Sequence, residues 1–464
     1  MFFACVVCKT THCLLRLLGF GATSLPGALA LRICPDILPR AAKNIGIIAV
    51  TGTNGKTTSS RIIEKALNNA GHRVCANRSG ANLMAGITAE LIMNRDLLWR
   101  ARCEWAVVEC DEAACRSVIG KLRPRVLLLT NLFRDQLDRY GEVKSARDCI
   151  VEGLNSSPET VAVINSDCPM AASAARLIKN KTVLFGADCG KGGAVGSGED
   201  DACPVCGKRL RYSLLSYASL GHYECSCGFC RRSVGYGISE VFTDGGVLLK
   251  TPEGEDIVTP ALPGLHNAYN AAGAVAAAMS AGVAKNAAVS AAEDFDCGFG
   301  RMESFPIGRR GARMILIKNA AAADRTLEQV RAFAEPKSVV LAINGRAADG
   351  CDLSWLDDAD FGKLLDIAQI VELGNAAGCS DHPAGGADRP AGSRRRTGRR
   401  RAGCAGQAIE HVTDHAGCSR AGRAPAAGGC RRAGQGPKHR PAGIRQGQHP
   451  VQNAGSTGCD THGL

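Results

Sequence analysis

Residues 50–58 read "VTGTNGKTT", directly after the apolar run at 45–50 and directly before a helical pattern that reaches Leu67. A strand, a glycine-rich turn and a helix N-terminus in that order dictate a β–loop–α unit whose backbone N–H groups converge on an anion. The general phosphate-loop pattern is G-x-x-x-x-G-K-[ST]. Val50 stands at the first glycine position, so the form present is the variant T-G-T-N-G-K-T at 51–57. Gly52, Thr53, Asn54 and Gly55 form the turn, and Thr58 follows it into the helix. Lys56 has the charge to neutralise β/γ-phosphate oxygens, and the Thr57 hydroxyl the reach to a Mg²⁺ ion.

Around this turn, short apolar runs alternate with helical stretches. The runs "IGIIAV", "EWAVVEC", "RVLLLTN" and "TVAVINS" have the near-continuous apolar character of strands buried on both faces, which predicts a parallel α/β sheet. Ligands of such sheets lie beyond the carboxyl ends of the strands. "EWAVVECDEA" carries Glu109, Asp111 and Glu112 to such an end. Glu109 is the Mg²⁺ candidate there, and Asp111 and Glu112 read as a solvated acidic turn.

A second cluster breaks the rhythm. "CPVCGKRL" holds Cys203 and Cys206, and "YECSCGFC" holds Cys225, Cys227 and Cys230. Two short cysteine pairs, each followed by glycine, suit two knuckles around a closed four-thiolate structural Zn²⁺ site. Spacing leaves open whether Cys227 or Cys230 is the fourth ligand. Apart from Arg231 and Arg232, this insertion lacks a concentrated basic stripe.

The chain of 464 residues, 45% of them hydrophobic, is long enough for two or three domains. Its 23 cysteines would imply disulfides in a small secreted chain, but length and phosphate loop together imply a reducing, cytoplasmic setting. No apolar run is long enough to span a bilayer, and the N-terminus lacks the pattern of a signal peptide. Net charge is +12, yet residues 375–464 hold 14 Lys+Arg against 5 Asp+Glu, so +9 of it belongs to that segment.

The expected organisation has four parts. Residues 1–45 are a helical lead. Residues 46–302 form the nucleotide-binding α/β domain, with the cysteine-rich insertion at about 200–233. Residues 303–374 form a smaller, Rossmann-like α/β domain that is incomplete, carrying "RMILIKN" and "SVVLAIN" as buried-type strands. Residues 375–464 contain no Phe, Tyr or Trp and are dominated by Arg, Gly and Ala, so they lack the apolar surface to fold. They read either as a disordered basic tail or as out-of-frame translation of GC-rich DNA. Five scattered cysteines favour the second.

The string T-G-T-N-G-K-T, with "GLHNAYNA" and "GRME", resembles the Mur ligase family of ATP-dependent carboxylate ligases. "SLPG", "GANLMAGIT", "TNLFRDQLDRYGE", the cysteine insertion and "ADGCDLSWLDDADF" narrow the resemblance. It is to the branch that supplies the synthetase subunit of lipid II isoglutaminyl synthase, over about residues 20–373.

The resemblance implies amidation of the D-isoglutamate α-carboxyl of the lipid II stem peptide, in peptidoglycan synthesis. The route is an acyl phosphate, with ammonia from a GatD-like glutaminase partner. It implies nucleotide contacts for His266, Asn267, Asn270 and Arg301, and a place in the same cleft for Asn82, Asn131 and Asp135. His266, Asn267 and Asn270 equally suit helix caps or core, and Asn82, Asn131 and Asp135 turns and caps. It makes Asp352 the residue that completes the partner's Cys–His pair, and Cys227 the fourth zinc ligand. Where the family has K-N-P-A-G, this chain has Lys318-Asn319-Ala320-Ala321-Ala322. The competing expectations are an amino-acid-adding ligase of the Mur or folylpolyglutamate type, and a non-enzymatic zinc-ribbon protein that binds nucleic acid.

Overall fold

The computed structural model describes residues 1–295 apart from 21–22, 78–80, 97, 134–142, 193–201, 218, 243–244 and 263. Beyond 295 it describes 301–307, 310–315, 317, 323, 326–327, 330–331, 338–343 and 370–374. All of these lie in one contact unit, Met1–His382. The basic segment from 375 onward lies outside the described residues, as does Asp352.

The first elements are helices: α1 (Phe2–Leu17), α2 (Leu25–Ile33) and α3 (Ile37–Ala42). Pro26 sits in the first turn of α2, where a missing N–H costs nothing. The α1 helix buries Ala4, Cys5 and Cys8 but leaves Phe3, Leu14 and Leu17 exposed.

The central domain follows the phosphate-loop pattern. Its elements run β1 (Gly46–Thr51), α4 (Lys56–Asn69), β2 (Val74–Ala76), α5 (Met84–Met93), β3 (Trp105–Glu109), α6 (Cys115–Leu122) and β4 (Val126–Leu129). Then come α7 (Val143–Asn155), β5 (Val161–Asn165), α8 (Pro169–Ala174) and β6 (Thr182–Ala187). The insertion supplies β7 (Lys191–Gly192), β8 (Arg211–Tyr217) and β9 (Leu220–Glu224). The chain then returns through β10 (Tyr236–Val241), β11 (Val247–Thr251), β12 (Gly254–Val258), α9 (Leu265–Ser280) and α10 (Lys285–Glu293).

The main sheet has the order β12-β11-β10-β6-β5-β4-β1-β3-β2. From β2 to β10 every pairing is parallel, and β11 and β12 add an antiparallel edge. Successive side chains on a strand face opposite ways, and β3 and β4 are buried at every position, so both faces of the sheet are covered. Chain direction across the sheet reverses at β1: α4 leads toward β2 on one side, while α6 leads to β4 on the other. That switch point is where an open α/β sheet leaves a crevice.

Helix α9 packs against β4, β5, β6 and β10 and against α4. Its buried run 267–278 is mostly alanine, and short side chains let the helix lie close to the sheet.

Farther along, β13 (Arg301–Ile307) and β14 (Arg310–Ile315) form an antiparallel pair, and β15 (Val339–Ile343) and β16 (Ile370–Gly374) a parallel one. The strand expected from "SVVLAIN" is present as β15, while β14 overlaps "RMILIKN" only at residues 313–315, which are exposed or half-buried. Val340 of β15 is exposed, so this strand lacks cover on one face among the described residues. No helix among the described residues is long and apolar enough to cross a membrane.

Candidate functional site

The phosphate loop joins β1 to α4. Gly52 has φ +124° and Gly55 has φ +87°, a region that L side chains rarely enter. Space excludes a side chain as well: a Cβ on Gly55 would lie 2.0 Å from Asn270 Oδ1. Asn270 thus sits directly over the start of α4.

The loop is clamped from the β4 side. Asn54 N donates to Asn131 Oδ1 at 3.0 Å, and Asn131 Nδ2 donates back to Asn54 O at 3.0 Å. Thr130 Oγ1 donates to Asn54 O at 2.7 Å, and Thr53 N donates to Asn131 O at 2.9 Å. Each such bond contributes about 1 kcal/mol net, and together they fix the turn before any ligand arrives. The Asn131 side chain therefore builds the cradle.

Lys56 opens α4, and its Nζ lies 2.7 Å from Glu112 Oε1 and donates to Gly52 O. Thr57 Oγ1 donates to Glu109 Oε2 at 3.0 Å. The residues expected to reach phosphate and Mg²⁺ are thus neighbours, although they lie on different elements. Asn77 secures the Glu109 backbone: its Oδ1 accepts from Glu109 N and its Nδ2 donates to Glu109 O, both at 2.8 Å. A carboxylate and a hydroxyl at this spacing are the hard oxygen donors that Mg²⁺ takes.

The acidic turn corrects the sequence reading. Asp111 and Glu112 are buried, 4% and 7% exposed, not solvated. Burial alone would raise the Glu112 carboxyl, but Lys56 outweighs it and holds the carboxyl below its ordinary range. Asp111 N donates to Asn82 O at 3.0 Å, which brings "GANL" beside this turn. An apolar neighbourhood does not advertise a charge partner, so Lys56–Glu112 could not be read from spacing.

From α9, His266 is half-buried while Asn267 and Asn270 are buried. Asn270 Nδ2 donates to Asn267 Oδ1 at 3.3 Å, and Ser59 Oγ of α4 donates to Asn270 O at 3.3 Å. Thr58 is buried within α4. Arg301 opens β13, and its side chain, like the whole of Asp135, lies outside the described residues.

Exchanging Gly55 for alanine tests the cradle. The variant meets both the Asn270 clash and a positive φ costing about 1–2 kcal/mol. A fluorescent-nucleotide titration should show ATP affinity reduced by about tenfold, with the melting temperature lowered by only a few degrees.

The four cysteines form the second centre. The sulfur atoms of Cys203, Cys206, Cys225 and Cys227 all lie within 4.8 Å of one another. The two loops share a hydrogen-bond pattern: Cys203 N donates to Lys208 O and Gly207 N to Cys203 O; Cys225 N donates to Phe229 O and Gly228 N to Cys225 O. Cys230 instead forms a β-bridge with Glu224. Four converging sulfurs fit a tetrahedral soft-metal site. None of the described cysteines is in a disulfide.

Beside the ribbon lies an ionic network that sequence inspection missed. Asp167 is fully buried; its Oδ1 receives Arg231 Nε at 2.9 Å and its Oδ2 the Tyr269 hydroxyl at 2.6 Å. Arg231 also reaches Asp188 Oδ1 at 2.9 Å, and His222 Nε2 lies 3.1 Å from the same oxygen. Arg231 is therefore largely buried and committed to these carboxylates, not part of a basic surface. The hydrogen bond with His222 and the Arg231 charge hold the Asp188 carboxyl down to about 2.

A depressed carboxyl contributes stability that is present above its unfolded value, about 3.9, and is lost as pH falls through the folded value. Thermal melts of the protein should thus lose stability between about pH 4 and 2, and Asp188→Asn should flatten that part of the profile. An unchanged acid limb in the variant would refute the assignment.

Comparison with known proteins agrees with this fold. The chain matches the Mur ligase middle domain over residues 50–198 and the MurT ligase C-terminal domain over residues 316–378. It resembles the solved pseudomurein peptide ligase type C of Methanothermus fervidus, with a TM-score of 0.55 and 23% identity over 73% of this chain and 70% of that one. Fold and phosphate loop together define a Mur ligase-type chain.

The chain is 33% identical to the lipid II isoglutaminyl synthase (glutamine-hydrolyzing) subunit MurT of Streptococcus pneumoniae R6, covering 80% of this chain and 82% of the relative. Its identity to the MurT subunit of Staphylococcus aureus COL is also 33%, over 78% of this chain and 82% of that one. The chain belongs to the MurT family.

Proposed function

We propose that this chain is the synthetase subunit of a glutamine-dependent amidotransferase that converts the α-carboxyl of D-isoglutamate in lipid II to the amide. The observation that carries the reading is the pairing of Lys56 with Glu112 and of Thr57 with Glu109 beside the loop that Asn270 covers at Gly55. ATP is the nucleotide that fits a cradle with a lysine at its β/γ end.

A carboxylate resists nucleophiles, and a phosphoryl group converts one of its oxygens into a leaving group. In the proposed reaction a carboxylate oxygen attacks the γ-phosphorus and the bond to ADP breaks. Ammonia then attacks the carbonyl carbon, and inorganic phosphate leaves. Lys56 and the loop N–H groups stabilise the charge that develops on the transferring phosphoryl group. Thr57 and Glu109 would hold Mg²⁺, which supplies further charge neutralisation on the phosphate oxygens. Asn267 and Asn270, with His266 and Arg301, are assigned to the nucleotide, and Asn82 and Asn131 to the walls of the same cleft. Cys203, Cys206, Cys225 and Cys227 would hold a structural Zn²⁺.

Ammonia is assigned to a GatD-like glutaminase. Asp352 is assigned to orient the histidine of that partner's Cys–His pair, since a carboxylate behind an imidazole fixes its tautomer. The setting assigned is the cytoplasmic face of the membrane, where a lipid-linked precursor presents its peptide.

Ammonium salts bypass the partner, so the test is ATP turnover by the full chain with lipid II. Ammonium-stimulated formation of the amide supports the reading. Stimulation by a free amino acid instead, with a new peptide bond as product, would replace it with the amino-acid-adding alternative.

A further inference from the structure

We propose that the four-cysteine ribbon tunes the affinity of the phosphate loop for ATP, with Arg231, Asp167 and Tyr269 as the positioning residues that connect them. The inference rests on the reading that the loop takes ATP and the ribbon takes Zn²⁺, and it adds a coupling between the two.

The connection starts in the ribbon. Arg231 follows the second knuckle by a few residues, and its N–H donates to Tyr223 O of β9 at 2.9 Å. Ribbon folding therefore sets where its guanidinium lies. That group meets Asp167 in the loop after β5, where Gly221 N also donates to Asp167 O at 3.0 Å. The Tyr223 hydroxyl donates to Ser166 O at 3.1 Å, and Ser166 Oγ donates to Arg232 O at 2.8 Å. The ribbon is thus docked on residues 166–167 by several directional bonds.

From this loop two routes lead to the phosphate cradle. In the first, Asp167 accepts the Tyr269 hydroxyl at 2.6 Å, and Tyr269 precedes Asn270, which covers Gly55. In the second, Asn165 Nδ2 donates to Thr130 O at 2.9 Å, and Thr130 with Asn131 clamps Asn54. A buried carboxylate held by a guanidinium, a phenol and the Ala187 N–H has little freedom to shift unless the guanidinium leaves. Loss of the metal disorganises the segment that carries Arg231, and the cradle loosens through Asp167.

The test is a cycle of metal removal against substitution, read by titration with a fluorescent ATP analogue on the full chain. Stripping zinc with a chelator and restoring Mg²⁺ should weaken ATP binding by about tenfold, in the ordinary range for coupled sites, and zinc re-addition should restore it. Zinc-loaded Arg231→Met should keep its zinc yet bind ATP as weakly as the stripped protein. Tyr269→Phe, which removes only a hydroxyl, should lose part of the metal effect, so that the two perturbations are less than additive. Equal ATP affinity with and without zinc would overturn the proposal, as would a full metal effect in Tyr269→Phe. Should Arg231→Met fail to fold, the Tyr269→Phe cycle decides alone. A zinc-loaded wild-type chain that binds no ATP would overturn this proposal together with the functional reading.

Discussion

Lys56→Ala is expected to abolish ATP-dependent amidation, with turnover lowered by roughly 10²–10³-fold or more. The ammonium group lies at the start of α4, beside Thr57 and Glu109, and no other lysine is described at this site. The same change strikes stability. Breaking a buried ion pair typically costs about 3–5 kcal/mol. In the wild-type protein Lys56 outweighs burial and holds the Glu112 carboxyl low, so the pair contributes stability above the ordinary glutamate value and loses it on acidification.

Without Lys56, burial remains and pushes that carboxyl up. The folded variant then resists ionisation, so its stability deficit should be largest at neutral pH and shrink as pH falls. The double change Lys56→Ala/Glu112→Gln separates the two effects. Melts should recover while turnover stays lost. Recovery of turnover in the double variant would mean that Lys56 acts only on Glu112 and not on phosphate.

Removal of metal from the ribbon is the second large expected effect. The ribbon's own core consists of Cys203, Leu210, Tyr212, Tyr223, Cys225 and Phe229. A core of that size cannot offset the conformational entropy of its loops. A structural Zn²⁺ supplies about 10–16 kcal/mol of apparent binding energy in comparable small folds. The purified chain should therefore contain one zinc. Chelation should collapse amide-exchange protection across 202–232 while β1, β3 and β4 stay protected. Cys227→Ser should lose the metal and Cys230→Ser should keep it, because only the Cys227 sulfur joins the cluster. Protection in the ribbon that survives complete zinc removal would show that the sulfurs are not its organising centre.

Sequence legibility tracked the range of the interactions involved. β1, β3, β4 and β5 were readable because each is a near-continuous apolar run, and the phosphate loop because its glycines and lysine are contiguous. Strand β2 is only three residues long, and β6 ends in Gly186-Ala187, so neither carries enough pattern to stand out. The pairing of Thr57 with Glu109 followed from a general rule about strand ends. The pairing of Lys56 with Glu112 did not, because local spacing cannot distinguish a solvated carboxylate from one folded inward. Asp167, Arg231 and Tyr269 are separated by tens of residues and converge only through sheet order, which places β5 beside β6 and the ribbon at their ends. Spacing alone left Cys227 and Cys230 open; the family resemblance favoured Cys227, and it is the Cys227 sulfur that joins the cluster.

The central claim is that the loop at Lys56 transfers phosphate to a carboxylate oxygen before nitrogen arrives. It is tested most directly with lipid II labelled with ¹⁸O in the α-carboxyl of D-isoglutamate, the full chain, ATP and ammonium. One labelled oxygen should appear in inorganic phosphate for each amide formed. Amide formation with unlabelled phosphate, or with AMP and pyrophosphate as products, would contradict it.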